Sequence, residues 1–167
     1  GDDFLATCCS LWEESSKGVS AIGVRRVILR TAVVLASEDS ALQKIARPVA
    51  WNLGAALGTG QQRMPWVHID DLCKVYVAAI QNKSMQGAYN VAVAPSLTNQ
   101  EFTKALANQM GKKIWLPNVP GLILKMMLGE MSVVLLEGSA VSNSKLLETG
   151  FKFTYSNVRA ALQDLIG

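Results

Sequence analysis

Strand-like and helix-like segments alternate along this chain, and that alternation limits the folds open to it more than any other feature. Val24–Leu35 is dense in Val, Ile and Leu, which is typical of a mostly buried strand. Ile69–Ile80 carries apolar residues at helical spacing, and Ala88–Val93 is again strand-like. Strands separated by helices usually pair in parallel, so we expect an α/β fold with a doubly wound sheet.

Other segments carry signals for the ends of helices. Thr98–Glu101 reads as a capping box, which predicts a helix from Asn99 to Met110 with Gly111 as its stop. Ser156 is expected to cap a last helix. The further expected elements are a helix over residues 3–16 capped by Asp2 or Asp3, a helix over Leu42–Leu53 kinked at Pro48, a loop over Leu53–Gly60, a short strand at Ile114–Leu116, and helices after Pro120 and over Asn143–Thr149.

Composition narrows the class of protein. Half of the 167 residues are hydrophobic and 17% are charged, so the chain either fills a large core or leaves one face for another segment to cover. The net charge of +3 is small, and alternation along one strand splits Arg25, Arg26 and Arg30 between two faces. We therefore expect no nucleic-acid partner. No apolar run reaches the roughly 18 residues of a membrane span, so we expect no membrane partner.

The cysteines indicate in which cellular compartment the protein is expected, and they do not indicate a disulfide or metal site. Cys8, Cys9 and Cys73 form neither an even disulfide framework nor a metal-binding spacing, so we expect no metal. A reducing compartment, the cytoplasm, is the expected location.

The stretch from Gly58 to Leu72 gathers several candidate functional residues. His68 could carry a proton, but a lone histidine at a strand end more often bonds to backbone and places the next helix. Arg63 could hold a substrate diphosphate, or lie solvated in a loop. Asp70 and Asp71 are interpreted as favourable charges in the first turn of a helix whose expected inward stripe is Ile69, Leu72, Cys73, Tyr76, Ala79 and Ile80. Trp66 could face a sugar or base, or belong to the core.

Arg30 lies near the end of the central predicted strand. Because the carboxyl ends of strands line the ligand crevice of open α/β sheets, Arg30 is a candidate substrate contact. The alternative interpretation pairs it with Glu13 or another acid.

An ordered set of short motifs resembles a known family. The motifs are Asp3-Phe4-Leu5-Ala6 with Trp12-Glu13, Leu29-Arg30-Thr31-Ala32-Val33-Val34-Leu35, Gly58-Thr59-Gly60 with Trp66-Val67-His68-Ile69-Asp70-Asp71-Leu72, Tyr89-Asn90-Val91 with Thr98-Asn99-Gln100-Glu101-Phe102, and Leu128-Gly129-Glu130-Met131 with Leu146-Leu147-Glu148-Thr149-Gly150-Phe151. The set resembles the C-terminal half of extended short-chain dehydrogenase/reductases, of the nucleoside-diphosphate-sugar epimerase-like group. The last motifs resemble a small C-terminal domain of unknown function.

The resemblance implies an architecture. Residues 1–116 would be the C-terminal part of a Rossmann-like doubly wound sheet, and residues 117–167 a small, mostly helical domain on the substrate side. No glycine-rich turn between a strand and a helix is present in this sequence. We therefore expect an N-terminal dinucleotide-binding half outside this chain, and NAD(P) bound only by the full-length protein.

The resemblance also implies roles for single residues. Thr31 and Ala32 match the turn that approaches the nicotinamide end of the cofactor in relatives. Substrate contacts are expected from Arg63, Trp66 and Arg30, although relatives place the arginine where Met64 stands here. The catalytic tyrosine and lysine of active relatives match about Leu5 and Cys9, so no catalytic residue is assigned.

Three hypotheses follow for the function. The first is the substrate-side portion of an NAD(P)-dependent epimerase-like or reductase-like protein that binds a small molecule or nucleotide sugar and is inactive alone. The second is a non-catalytic binding or scaffold protein of the same fold. The third is a chain that covers its apolar face in a homodimer.

Overall fold

The computed structural model describes residues 4–129, 132 and 136–167. The expected caps Asp2 and Asp3 lie outside the described residues, as do Glu130 and Met131. The strands are β1 (Val27–Thr31), β2 (Val33–Leu35), β3 (Arg63–Met64), β4 (Trp66–His68), β5 (Gly87–Val91) and β6 (Leu97–Thr98). The helices are α1 (Phe4–Ser15), α2 (Gly18–Ala21), α3 (Ala41–Ala50), α4 (Ile69–Gln81), α5 (Asn99–Gln109), α6 (Gly121–Leu128), α7 (Ser144–Leu147) and α8 (Val158–Ile166).

Two parallel strand pairs form the centre of the fold. β1 runs beside β5, with Val27 opposite Gly87, and β2 runs beside β4, with Val33 opposite Trp66. A short antiparallel pair, β3 with β6, lies outside them. The predicted α/β fold with parallel pairing is confirmed.

The predicted single strand Val24–Leu35 is two strands that change partners at Ala32. The Ala32 N–H donates to the Val91 carbonyl at 3.1 Å, whereas the next N–H, of Val33, donates to the Pro65 carbonyl at 3.2 Å. The prediction of a mostly buried strand is also wrong, because the first three residues of β1 are only partly buried and the last two are exposed. The sequence carries no sign of this break, because the apolar run continues through Ala32. A residue at which the chain changes its neighbouring strand needs no unusual side chain.

Two apolar clusters hold the elements together. Trp66, Phe102 and Leu162 belong to the first cluster, and Val75 and Leu146 to the second. Both clusters contain residues from beyond position 117, so the segments predicted as two domains, 1–116 and 117–167, pack in shared clusters. The division itself stays a prediction. No helix in the described ranges is long and apolar enough to cross a membrane.

The buried face of α4 differs from the predicted stripe. Leu72 and Ala79 point inward as expected, but Cys73, Tyr76 and Ile80 are exposed. Buried positions are instead Asp71, Leu72, Val75 and Ala79. Apolar residues almost encircle this helix, so periodicity alone could not select the face.

The helix ends were predicted with mixed success. Thr98 forms the expected capping box with Glu101, which lowers the pKa of that carboxyl through hydrogen bonds from the Thr98 backbone and hydroxyl. The cap of the last helix is Asn157, whose side chain accepts the Arg159 N–H, so the prediction of Ser156 is wrong. The strand predicted at Ile114–Leu116 is also wrong, because none of the described strands includes these residues.

A buried carboxylate ties the start of α4 to the C-terminal segment. Asp71 is fully buried, and its two oxygens accept the backbone N–H groups of Thr154 at 3.0 Å and Tyr155 at 2.9 Å. Lys74 Nζ lies 3.7 Å from the same carboxylate. Asp71 therefore lies in the first turn of the helix, as predicted, but it also joins two distant parts of the chain.

We predict that Asp71→Asn lowers the free energy of unfolding by about 2 kcal/mol, because the buried amide nitrogen would face a backbone N–H and leave it without an acceptor. Urea denaturation measures the change. Asp70→Asn is the matched control, since Asp70 is exposed in the same helical turn. Equal unfolding midpoints for the two variants would contradict the assigned role of Asp71.

Candidate functional site

Thr31 and Ala32 lie between two cavities, at the point where β1 ends and β2 begins. The first cavity, which we call the α1 cleft, measures about 930 Å³ and runs along residues 27–32 on one side and Cys9, Trp12 and Glu13 of α1 on the other. The second, which we call the α3 cavity, measures about 660 Å³ and lies between α3, the 53–57 loop and α5. Thr31 and Ala32 line both. This strand end is where open α/β sheets bind ligands.

Arg30 is held by an acid of α1. Its Nε donates to Glu13 Oε1 at 2.6 Å and its Nη2 donates to Oε2 at 2.7 Å. The hydrogen bonds from Arg30 lower the pKa of the Glu13 carboxyl, and the same bonds raise the pKa of the guanidinium. Of the two interpretations open from the sequence, the structure shows the pairing with Glu13. Arg30 still lines the α1 cleft, and its contact with a substrate stays a prediction.

Arg63 is attached to the protein backbone. Its Nη1 donates to the Ser96 carbonyl at 2.8 Å, and the residue lines the α3 cavity. Glu101, on the next helix, is close enough for the positive charge of Arg63 to contribute to its lowered pKa. A diphosphate would therefore have to compete with existing partners of this guanidinium, and its role in binding substrate stays a prediction.

Trp66 belongs to the core. Its side chain is only 1% exposed and packs in the first apolar cluster, and β4 places it beside Val33 of β2. A ring buried to this degree cannot face a sugar or base in the described conformation. The core interpretation is the one the structure shows.

His68 is a structural residue of the same strand. Its Nδ1 accepts the Asp70 N–H at 3.2 Å, so it caps α4 as the backbone-bonded interpretation expected. Its ring stacks on Tyr155 with 3.8 Å between centroids, and Nε2 lies 3.3 Å from Asp164 Oδ2 without hydrogen-bond geometry. The Tyr155 hydroxyl donates to Asp164, which raises the pKa of the phenol. Tyr155 and Asp164 could not be predicted as partners of His68, because they lie far along the chain from it.

The positions matching the catalytic pair of active relatives lie on α1. Cys9 is exposed and lines the α1 cleft. The side chain of Leu5 lies outside the described residues. A thiol in this place cannot act as the lysine does, because it carries no positive charge to lower a phenol pKa or to bind a ribose.

The described residues fit one end of a dinucleotide. The small side chains of Thr31 and Ala32 leave the strand end accessible from the α1 cleft, as a nicotinamide ring would need. A pyrophosphate requires backbone N–H groups at a glycine-rich turn that opens a helix. The sequence contains no such turn between a strand and a helix. The strand end therefore has space beside it, and the sequence carries no phosphate-binding turn of this kind.

Sequence comparison agrees with this geometry. Residues 20–92 match the sequence model of the NAD dependent epimerase/dehydratase family, and residues 119–165 match that of a domain of unknown function, DUF1731. The epimerase family protein YfhF of Bacillus subtilis (strain 168) is 34% identical over 99% of this chain and 54% of its own length. The epimerase family protein SDR39U1 of Mus musculus is 33% identical over 98% of this chain and 56% of its own length. The chain thus spans about half the length of these curated relatives.

Solved structures share the fold. Human epimerase family protein SDR39U1 (isoform 2), solved with NADPH, superposes with a TM-score of 0.81 at 29% identity and covers 85% of this chain and 48% of that one. The nucleoside-diphosphate sugar epimerase of Corynebacterium glutamicum superposes with a TM-score of 0.76 at 26% identity and covers 99% of this chain and 31% of that one.

Parallel strands, helical cover and cavities at the strand ends define a Rossmann-like α/β protein of the short-chain dehydrogenase/reductase type. Within that class, the chain belongs to the NAD-dependent epimerase/dehydratase family, in the group named epimerase family proteins. The resemblance found in its motifs is confirmed.

We predict that acid breaks the link between Arg30 of β1 and Glu13 of α1. Because the folded pKa of Glu13 lies below its ordinary value, the link to Arg30 is fully present above about pH 4.5 and is lost as the pH falls through the lowered pKa. The NMR chemical shift of the Arg30 Nε–H should have its ion-paired value at pH 6 and move to its unpaired value near pH 3. Glu13→Gln should give the unpaired value at both pH values.

Glu14→Gln is the matched control, because Glu14 pairs with Lys17 within the α1–α2 region and does not reach β1. A Glu14→Gln effect on the Arg30 signal as large as that of Glu13→Gln would contradict the assignment.

Proposed function

We propose that this chain is the substrate-side portion of an NAD(P)-dependent epimerase-like or reductase-like protein, with the nicotinamide end of the cofactor beside Thr31 and Ala32. The observation that carries the proposal is that these two residues line both the α1 cleft and the largely apolar α3 cavity. The relatives support it, since the human structure contains NADPH. By the same proposal the chain is inactive alone, because it holds one wall of the cleft.

The surface around the α1 cleft supports a further segment of the protein as the other wall. Trp12 of α1 is 81% exposed and Tyr76 of α4 is 52% exposed, and both line the cleft. Phe4 and Leu11 add exposed apolar area on α1. Apolar surface of this extent is usually covered by a partner. The proposed partner is the N-terminal half of the same protein, in the cytoplasm, where the free cysteines would stay reduced.

We predict that NADPH binds tightly to the longer protein and at least about a hundredfold more weakly to these 167 residues, because the phosphate-binding turn would lie outside this chain. Titration calorimetry on both proteins measures the difference. Equally tight binding by the 167-residue chain would contradict the placement of the cofactor site.

A second function is favoured by one observation. The family resemblance puts the tyrosine and the lysine of active relatives at about Leu5 and Cys9, which suits a non-catalytic binding or scaffold protein. Turnover of a nucleotide sugar or a carbonyl compound by the longer protein would remove this alternative. A homodimer that covers the apolar surface of α1 is a third arrangement, and a monomeric mass by light scattering at high concentration would remove it.

A further inference from the structure

The α3 cavity has walls suited to an apolar ligand. Its volume of about 660 Å³ is in the range of sites for small molecules, and its wall is dominated by aliphatic side chains. Those that enclose it include Val33, Ile45, Val49, Leu57, Met64 and Leu124. Val49 and Leu124 are buried, so the wall belongs to the packed part of the protein.

One polar side chain inside this cavity has an unused donor. Asn99 is 7% exposed and lines the cavity. Its Oδ1 accepts the Leu57 N–H at 2.8 Å, which fixes the orientation of the amide, because a nitrogen could not accept that bond. Nδ2 then points away from Leu57 and donates to none of the described groups.

The free donor is in contact with open space. The fully buried side-chain atoms without a partner, in the part of the chain that the structure describes, are His68 Nε2 and Ser96 Oγ. Asn99 Nδ2 is not among them, so this atom keeps some accessible surface, and its residue lines the α3 cavity. Buried amides are normally hydrogen-bonded, and an unpaired one is a place where a ligand acceptor gains affinity.

The charged groups of the cavity do not favour a diphosphate inside it. Arg63 already donates to the Ser96 carbonyl. Lys44 and Glu137 both line the cavity and both are exposed, so their opposite charges offset each other at its edge. A diphosphate drawn inside would lose its hydration without a dedicated cation, which is costly.

We propose that the α3 cavity binds a compact, uncharged, mainly apolar molecule through one carbonyl oxygen that accepts a hydrogen bond from Asn99 Nδ2. This inference deepens the proposed function. It rests on the proposed function in one respect, which is that the α3 cavity is taken as the substrate pocket. It favours an apolar carbonyl compound over a nucleotide sugar as the ligand of that pocket.

The test compares acetophenone with α-methylstyrene, which has the same shape but carries a CH₂ group in place of the oxygen. Binding to the 167-residue chain is followed by NMR of the Asn99 side-chain amide. We expect acetophenone to bind about five- to tenfold more tightly, the range of one hydrogen bond, and to shift the Asn99 amide signals. UDP-glucose should leave those signals unchanged. Equal affinities for the first two probes, or tighter binding of UDP-glucose that shifts Asn99, would overturn the proposal.

Asn99→Asp keeps the oxygen that accepts the Leu57 N–H and removes the donor. It should lower the affinity for acetophenone to that for α-methylstyrene, and an equal loss for both probes would count against the proposal. Asn108→Asp makes the same change at an exposed position of α5 and should change neither affinity. Ala41→Trp, at an exposed position that lines the cavity, should weaken both probes by obstruction, and this readout remains if Asn99→Asp does not fold.

The two proposals fail separately. Acetophenone bound at Asn99 while the longer protein binds no NADPH would overturn the proposed function and leave this inference in place. If the longer protein binds NADPH but acetophenone leaves the Asn99 signals unshifted, this inference is overturned and the proposed function stays in place.

Discussion

The buried carboxylate of Asp71 is the contact on which the arrangement of the site depends. A charged group with no exposure is stable only when its oxygens are paired, and here two backbone N–H groups from the C-terminal segment pair them. Those N–H groups belong to Thr154 and Tyr155, and Tyr155 in turn stacks on His68. Asp71 and His68 therefore hold the junction between β4 and α4 against the C-terminal segment.

The strand that leads into this junction lies beside the strand that starts at the two cavities. β4 pairs with β2 in parallel, and β2 begins directly after Thr31 and Ala32. The change of partner at Ala32 separates β1 from β2 and leaves the strand end open to a cavity on each side. A cofactor on one side and a substrate on the other would then meet at two small residues, which suits a reaction between them.

The sequence predicted the elements that depend on local chemistry. The capping box at Thr98, the helix after His68 and the parallel pairing all follow from short-range signals. It did not predict the buried face of α4, because apolar residues almost encircle that helix. It also did not predict the break at Ala32, because a change of strand partner is a long-range event.

For the candidate site, too, some features could be predicted from the sequence and others could not. Arg30 was correctly placed at the strand end, and its alternative pairing with Glu13 was foreseen from charge. Trp66 was ambiguous because a tryptophan near a motif packs in cores as readily as it binds sugars. The ligand-facing role of Asn99 could not be read from the sequence. A first helical residue after a capping threonine gives no sign that its amide faces a cavity formed by α3 and a distant loop.

The central claim is that cofactor and substrate occupy different cavities that meet at Thr31 and Ala32. The most direct measurement is NMR of the longer protein, labelled only in these 167 residues, with NADPH and acetophenone added separately. The account predicts that NADPH shifts the amides of residues 27–32 and of α1, and that acetophenone shifts Leu57, Asn99 and Thr103, with Thr31 and Ala32 responding to both. Identical sets of shifted residues for the two ligands, or no response of residues 27–32 to NADPH, would contradict it.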